Sequence, residues 1–141
     1  SFDETVAWQI GNKLREIGVA NDYPIIIDIR RGDDQLFFAA LPGTTPANAD
    51  WARRKRNFVN LVQMSSYQLS RRAALGEDML ELMGLDPRDF TPHGGSFPVR
   101  VKGAGFVGTI SVSGLPQKQD HKIVVDVLAD LLQVDLADSA F

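Results

Sequence analysis

Apolar positions recur at helical spacing over residues 3–17, where Val6, Ile10, Leu14 and Ile17 fall on one stripe and predict an amphipathic helix. Gly18 is placed to end it. Two apolar runs follow, 25–29 and 36–41, around Arg31-Gly32-Asp33-Asp34, and predict a β-hairpin. The second run is apolar at the consecutive positions Leu36, Phe37 and Phe38, so it is expected to be covered on both faces. Thr45 suits an N-cap and Pro46 a first helical position, which starts a helix over about 47 to the mid-60s. Another helical stretch covers roughly 67–83 and stops at Gly84. Strands follow near 99–102 and over 106–112, joined by Gly103-Ala104-Gly105, and a last helix runs through about Gln133. A hairpin in each half predicts an α/β (α+β) domain with an antiparallel sheet flanked by helices.

One lysine breaks the pattern. Trp51, Lys55, Phe58 and Val62 share one helical stripe, so Lys55 points with the apolar residues. Its neighbours Arg53, Arg54 and Arg56 cannot form a single basic face with it, because four consecutive helical residues fan out over about 300°. A buried ammonium needs a partner or becomes a perturbed amine. Lys55 is therefore read either as structural, a snorkelling stem or a buried pair with a carboxylate such as Asp28, or as a ligand-facing group. Asp28 interrupts Ile25, Ile26, Ile27 and Ile29 in a strand, on the side of Ile26 and Arg30, and fits a hydrogen-bonded structural carboxylate.

Two histidine-bearing segments complete the candidates. His93-Gly94-Gly95-Ser96-Phe97-Pro98 joins a titratable ring to paired glycines, which either permit close backbone approach to a ligand or to another chain or make a tight entry turn into the next strand with His93 partly exposed. The second runs from Ser113 to His121, and in the strand before it Val107, Thr109, Ser111 and Ser113 share one face, whose small hydroxyls line a pocket or admit a closely packed helix. Ser113-Gly114 then leads to Asp120 and His121 in the first turns of the last helix, a place suited to negative charge. His121 aligns with Val124, Val125, Leu128 and Leu132 and so lies toward the core.

Composition narrows the chemistry. The 141 residues are the size of one domain, 1–141, with 44% hydrophobic and 23% charged residues. A net charge of −3 opposes general nucleic-acid binding, which rests on cationic neutralisation of phosphates. The absence of cysteine removes thiolate catalysis, disulfides and cysteine-ligated metals. Two histidines cannot make a three-histidine metal site within one chain. No apolar run reaches membrane-spanning length and no signal-peptide pattern opens the sequence, so no membrane insertion and a cytoplasmic location are expected. Gly103-Ala104-Gly105-Phe106-Val107-Gly108 spells a dinucleotide fingerprint, but a strand follows where a helix is needed.

Gly94-Gly95-Ser96-Phe97-Pro98-Val99, the run from Val107 to Gly114, and Asp120 together resemble the haem-degrading-domain (GlcG/HbpS-like) families. Trp51, Lys55, Asn57, Ser65-Ser66, His93-Gly94-Gly95 and Ser113-Gly114-Leu115-Pro116 with Asp120-His121 resemble the branch that includes a small yeast cytoplasmic protein. The resemblance implies a profilin-like α/β/α layering with a five-stranded antiparallel sheet, assembled into homo-oligomers. Three functions stand open at this point. The first is a small polar or anionic ligand bound by Lys55, Ser65, Ser66, His93, Gly94, Gly95, Ser96, Ser113, Gly114, Asp120 and His121. The second is haem binding or breakdown, with His93 or His121 as axial ligand. The third is an oligomeric interaction protein such as a co-chaperone. Catalysis, with Lys55 as nucleophile or His121 as base, would extend the first.

Overall fold

The computed structural model describes residues 2–132. Nine elements follow one another: α1 (Glu4–Ala20), β1 (Ile26–Arg31), β2 (Asp34–Ala40), α2 (Pro46–Val62), α3 (Ser66–Ala74), α4 (Met79–Leu82), β3 (Ser96–Val101), β4 (Gly105–Ser113) and α5 (Gln117–Leu132). The expected end of the last helix at Gln133 lies outside the described residues.

Asp3 starts α1 by accepting a hydrogen bond from the Val6 N–H at 2.9 Å. The helix does not stop at Gly18 but continues to Ala20. Gly18 serves packing instead: a Cβ there would lie 2.4 Å from the Leu41 side chain, so its absence lets α1 settle onto the end of β2. Gly11 does the same against the Phe37 ring.

The sheet has the order β2-β1-β4-β3, with every neighbouring pair antiparallel. Both predicted hairpins form, and β1 joins them by pairing with β4. Among the described residues there are four strands, one fewer than the expected five. Alternation along β1 sends Ile27 and Ile29 to one side, where Ala7, Ile10 and Leu14 of α1 and Ile123, Val124 and Val127 of α5 cover them. Ile26 and Asp28 face α2 on the other side. The result is a three-layer α/β/α domain.

Three further expectations change. Phe38 is 47% exposed, because β2 is an edge strand and α2 lies over β4 and β3 rather than over its outer face. The stretch 67–83 is two helices, broken where Gly76 takes φ +93° and Asp78 caps a new start. Finally, β3 begins at Ser96, earlier than expected, with Pro98 accommodated on an edge strand.

Candidate functional site

The helix phase that turns Lys55 inward delivers its ammonium to the carboxyl end of β4. Nζ donates to the Val112 carbonyl at 3.1 Å and to Asp120 Oδ2 at 3.1 Å. Lys55 is 3% exposed and Asp120 1%. The lysine is thus a buried pair, as one of the two readings held, but its partner is Asp120 rather than Asp28. Asp28 is committed elsewhere: it accepts from Arg30 at 3.1 Å, Arg56 at 2.8 Å and Gln35 at 3.4 Å. Burial pushes Asp120 up to about 6 against the pull of Lys55, and burial lowers Lys55. The second oxygen of Asp120 accepts from the Leu115 N–H at 3.0 Å, which ties the Ser113-Gly114-Leu115 turn to α5.

The paired glycines are threaded into this junction. A Cβ on Gly95 would meet the Val112 carbonyl at 2.3 Å and Lys55 Nζ at 2.8 Å; one on Gly94 would meet the Gln117 carbonyl at 2.6 Å and Tyr67 at 2.9 Å. Close approach therefore serves the chain itself. The Gly94 N–H donates to Gln117 Oε1 at 2.9 Å. Ser66 Oγ accepts from the Ser96 N–H at 3.0 Å, Ser65 caps α3, and Ser96 shares a 2.8 Å hydroxyl contact with Ser111. Thr109, Ser111 and Ser113 are all buried on the face that α2 covers. The hydroxyl row thus admits a closely packed helix. Gly114 presses on the Pro24 carbonyl.

The structure brings the two histidine segments and Lys55 into one neighbourhood, yet treats the two rings oppositely. His121 is 9% exposed, stacked on Tyr67 at 4.7 Å with Phe97 at 6.2 Å. Its Nδ1 is buried with no hydrogen-bond partner among the described residues, and burial lowers its pKa to about 4. His93 is exposed and meets Trp51 edge-on at 4.9 Å. Partial burial, then the charges of Lys55 and Arg54, lower its pKa as well. Both imidazoles are neutral at pH 7, but only His93 presents its ring to solvent.

Tyr67, Gln117 and Arg54 were not among the sequence candidates. Tyr67 follows Ser65-Ser66 directly, but nothing local signals that it covers His121. Among the described residues no group of three or more His, Asp or Glu is placed to hold a metal ion, and no helix is long and apolar enough to cross a membrane.

The depressed His121 pKa carries a pH prediction. The fold favours the neutral ring, so this contribution is full above about 6.5 and is lost as pH falls toward 4. Asp120, raised to about 6, runs the other way: its contribution is full at acid pH and is lost as pH rises through 6. His121→Phe removes only the first. The stability difference between wild type and H121F, from urea melts, should shift by about 3 kcal/mol between pH 7 and pH 4, against the wild type at low pH. Parallel pH profiles would contradict it.

The sequence matches the family described as haem degrading protein HbpS-like over residues 2–129. A UPF0303 protein from Acidobacterium capsulatum is 47% identical over 137 residues, spanning 96% of this chain and 83% of the relative. The crystal structure of the Ybr137w protein superposes with a TM-score of 0.83 at 23% identity, covering 94% of this chain and 79% of that one. The PduOC–haem complex gives a TM-score of 0.72 at 17% identity, covering 92% of each chain. With a family match over nearly the whole described chain, and a fold shared with these structures, the protein belongs to the HbpS-like haem-degrading protein family.

Proposed function

We propose that this is a homo-oligomeric small-ligand-binding protein, that its ligand-facing surface centres on His93, and that haem is the ligand class it takes. One observation carries the reading: His93 is an exposed imidazole, kept neutral and set against Trp51 with Arg54 alongside. Family membership and a haem complex among its structural relatives support the ligand class.

The residues fit haem at His93 and not at His121. A histidine that held haem iron would do so as a neutral imidazole with a free nitrogen lone pair. His93 meets that requirement, and the Trp51 indole beside it offers an apolar surface for a flat macrocycle. His121 is shut between Tyr67 and Phe97, with no room for a macrocycle. Bound haem would supply iron-centred redox and ligand-binding chemistry; the chain's part is to hold and orient it. Lys55 and Asp120 lie beneath this surface, packed close against Gly95.

Exposed Leu75, Leu82 and Met83 along the α3–α4 segment favour a subunit or partner contact in addition. Native mass spectrometry of freshly purified protein reads both parts of the proposal. Multiple subunits with retained or added haemin are expected. A monomer that takes up no haemin, and gives no saturable Soret change on titration, would defeat it.

A further inference from the structure

We infer that Arg54 is a positioning residue for His93: it clamps the 86–91 segment onto α2 and lies against Trp51, so that the His93 ring is presented in one place. The inference rests on the reading of His93 as the ligand-facing imidazole, and it deepens that reading.

Residues 86–91 form neither helix nor strand. Within the segment, the Asp89 and Phe90 N–H groups donate to the Asp86 carbonyl and Arg88 donates to the Asp86 carboxylate, while α2 ties the segment to the rest of the fold. Arg54 Nε and Nη2 both donate to the Pro87 carbonyl, at 3.0 and 2.6 Å. Arg53 donates to the Arg88 carbonyl at 2.9 Å and to the Asp89 carboxylate at 3.1 Å. Asn57 donates to the Asp89 carbonyl at 2.8 Å. The Thr91 N–H closes the strap by donating to the Arg54 carbonyl at 3.3 Å.

His93 comes two residues later. Just beyond it, the Gly94 N–H is fixed by Gln117. The histidine is therefore held between two anchors, and its ring is braced by a third contact. The Arg54 guanidinium sits 4.3 Å from the centroid of Trp51, the ring that His93 meets edge-on. Arg54 joins the strap to the aromatic brace. An imidazole on an irregular segment would otherwise spread over many backbone and rotamer states, and a ligand would have to order it on binding.

This also accounts for the basic run. Arg53 and Arg54 hold the strap, Lys55 turns inward to Asp120, and Arg56 reaches Asp28. Four adjacent cations with the look of a surface patch are four internal tethers.

The test compares Arg54→Ala, Arg54→Lys and Asn57→Ala by NMR of the two histidine rings. Trp51 imposes a ring-current shift on His93, while His121 reports the fold. In R54A the His93 resonances should move toward unstructured values with those of His121 unchanged. R54K keeps a cation near Trp51 but loses the forked donation to Pro87, so His93 should move part of the way. N57A should give a smaller displacement. Haemin should bind R54A about tenfold more weakly, the scale of a lost charge-assisted hydrogen bond. Native His93 shifts in R54A would overturn the inference; should R54A fail to fold, native His93 shifts in R54K and N57A would do so. Wild type that binds no haemin would sink the reading of His93 as a haem site, while the ring shifts would still decide the role of Arg54.

Discussion

Lys55→Met is expected to destabilise the protein by about 3–5 kcal/mol, the scale on which one partner of a buried ion pair is removed and the other left uncompensated. The substitution keeps the hydrophobic stem and the volume, so the loss comes from charge and hydrogen bonding rather than from a cavity. Asp120 would be left at 1% exposure without its cation, and the Val112 carbonyl without its donor. Protonating Asp120 relieves the first penalty, so the cost of K55M should shrink as pH falls from 8 to 5. Adding Asp120→Asn should recover most of the loss. The amide removes the buried charge and keeps an oxygen for the Leu115 N–H. Urea melts of the two single variants and the double variant read the coupling directly. Additive losses would mean that Lys55 and Asp120 do not act as a pair.

The second large effect is at Gly95. Its φ of +130° is a conformation that side chains rarely adopt, and a Cβ there would be driven into the Val112 carbonyl and Lys55 Nζ. Gly95→Ala combines backbone strain with overpacking against groups that cannot retreat, and should cost about 2–4 kcal/mol. Gly103, also at positive φ, has nothing within 4 Å of its missing Cβ. Gly103→Ala therefore isolates the backbone contribution and should cost clearly less. Equal thermal shifts in G95A and G103A would show that the junction is not tightly closed at Gly95.

What could be read from the sequence divides along a physical line. Local signals held where the determinant lies within a few residues. Thr45-Pro46 marked the start of α2, and the stripe through Lys55 and Phe58 placed the ammonium inside. Partners far along the chain did not announce themselves. For Lys55 the sequence offered Asp28, on a strand rich in isoleucine, as one possible carboxylate partner, whereas the fold brings Asp120 across from α5. Gly18 shows the same limit differently. A glycine that ends a helix and one that lets a helix sit close to a strand are identical in sequence, and only Leu41 and Ile25 tell them apart. The break at Gly76 was better signposted, since Asp78 follows as a ready N-cap, but the apolar residues on either side masked it. At the site, helical phase already turned His121 toward the core, but both histidines stood as possible haem ligands. Tyr67 and Trp51 separate them, by covering one and bracing the other.

That separation is the centre of the functional account, and haemin titration of three proteins tests it most directly. Wild type and H121F should give the same saturable Soret change, because the buried ring takes no part in binding. His93→Ala should lose the shift that marks imidazole ligation. A Soret change that survives in H93A and disappears in H121F would place the ligand at the buried histidine and contradict the account.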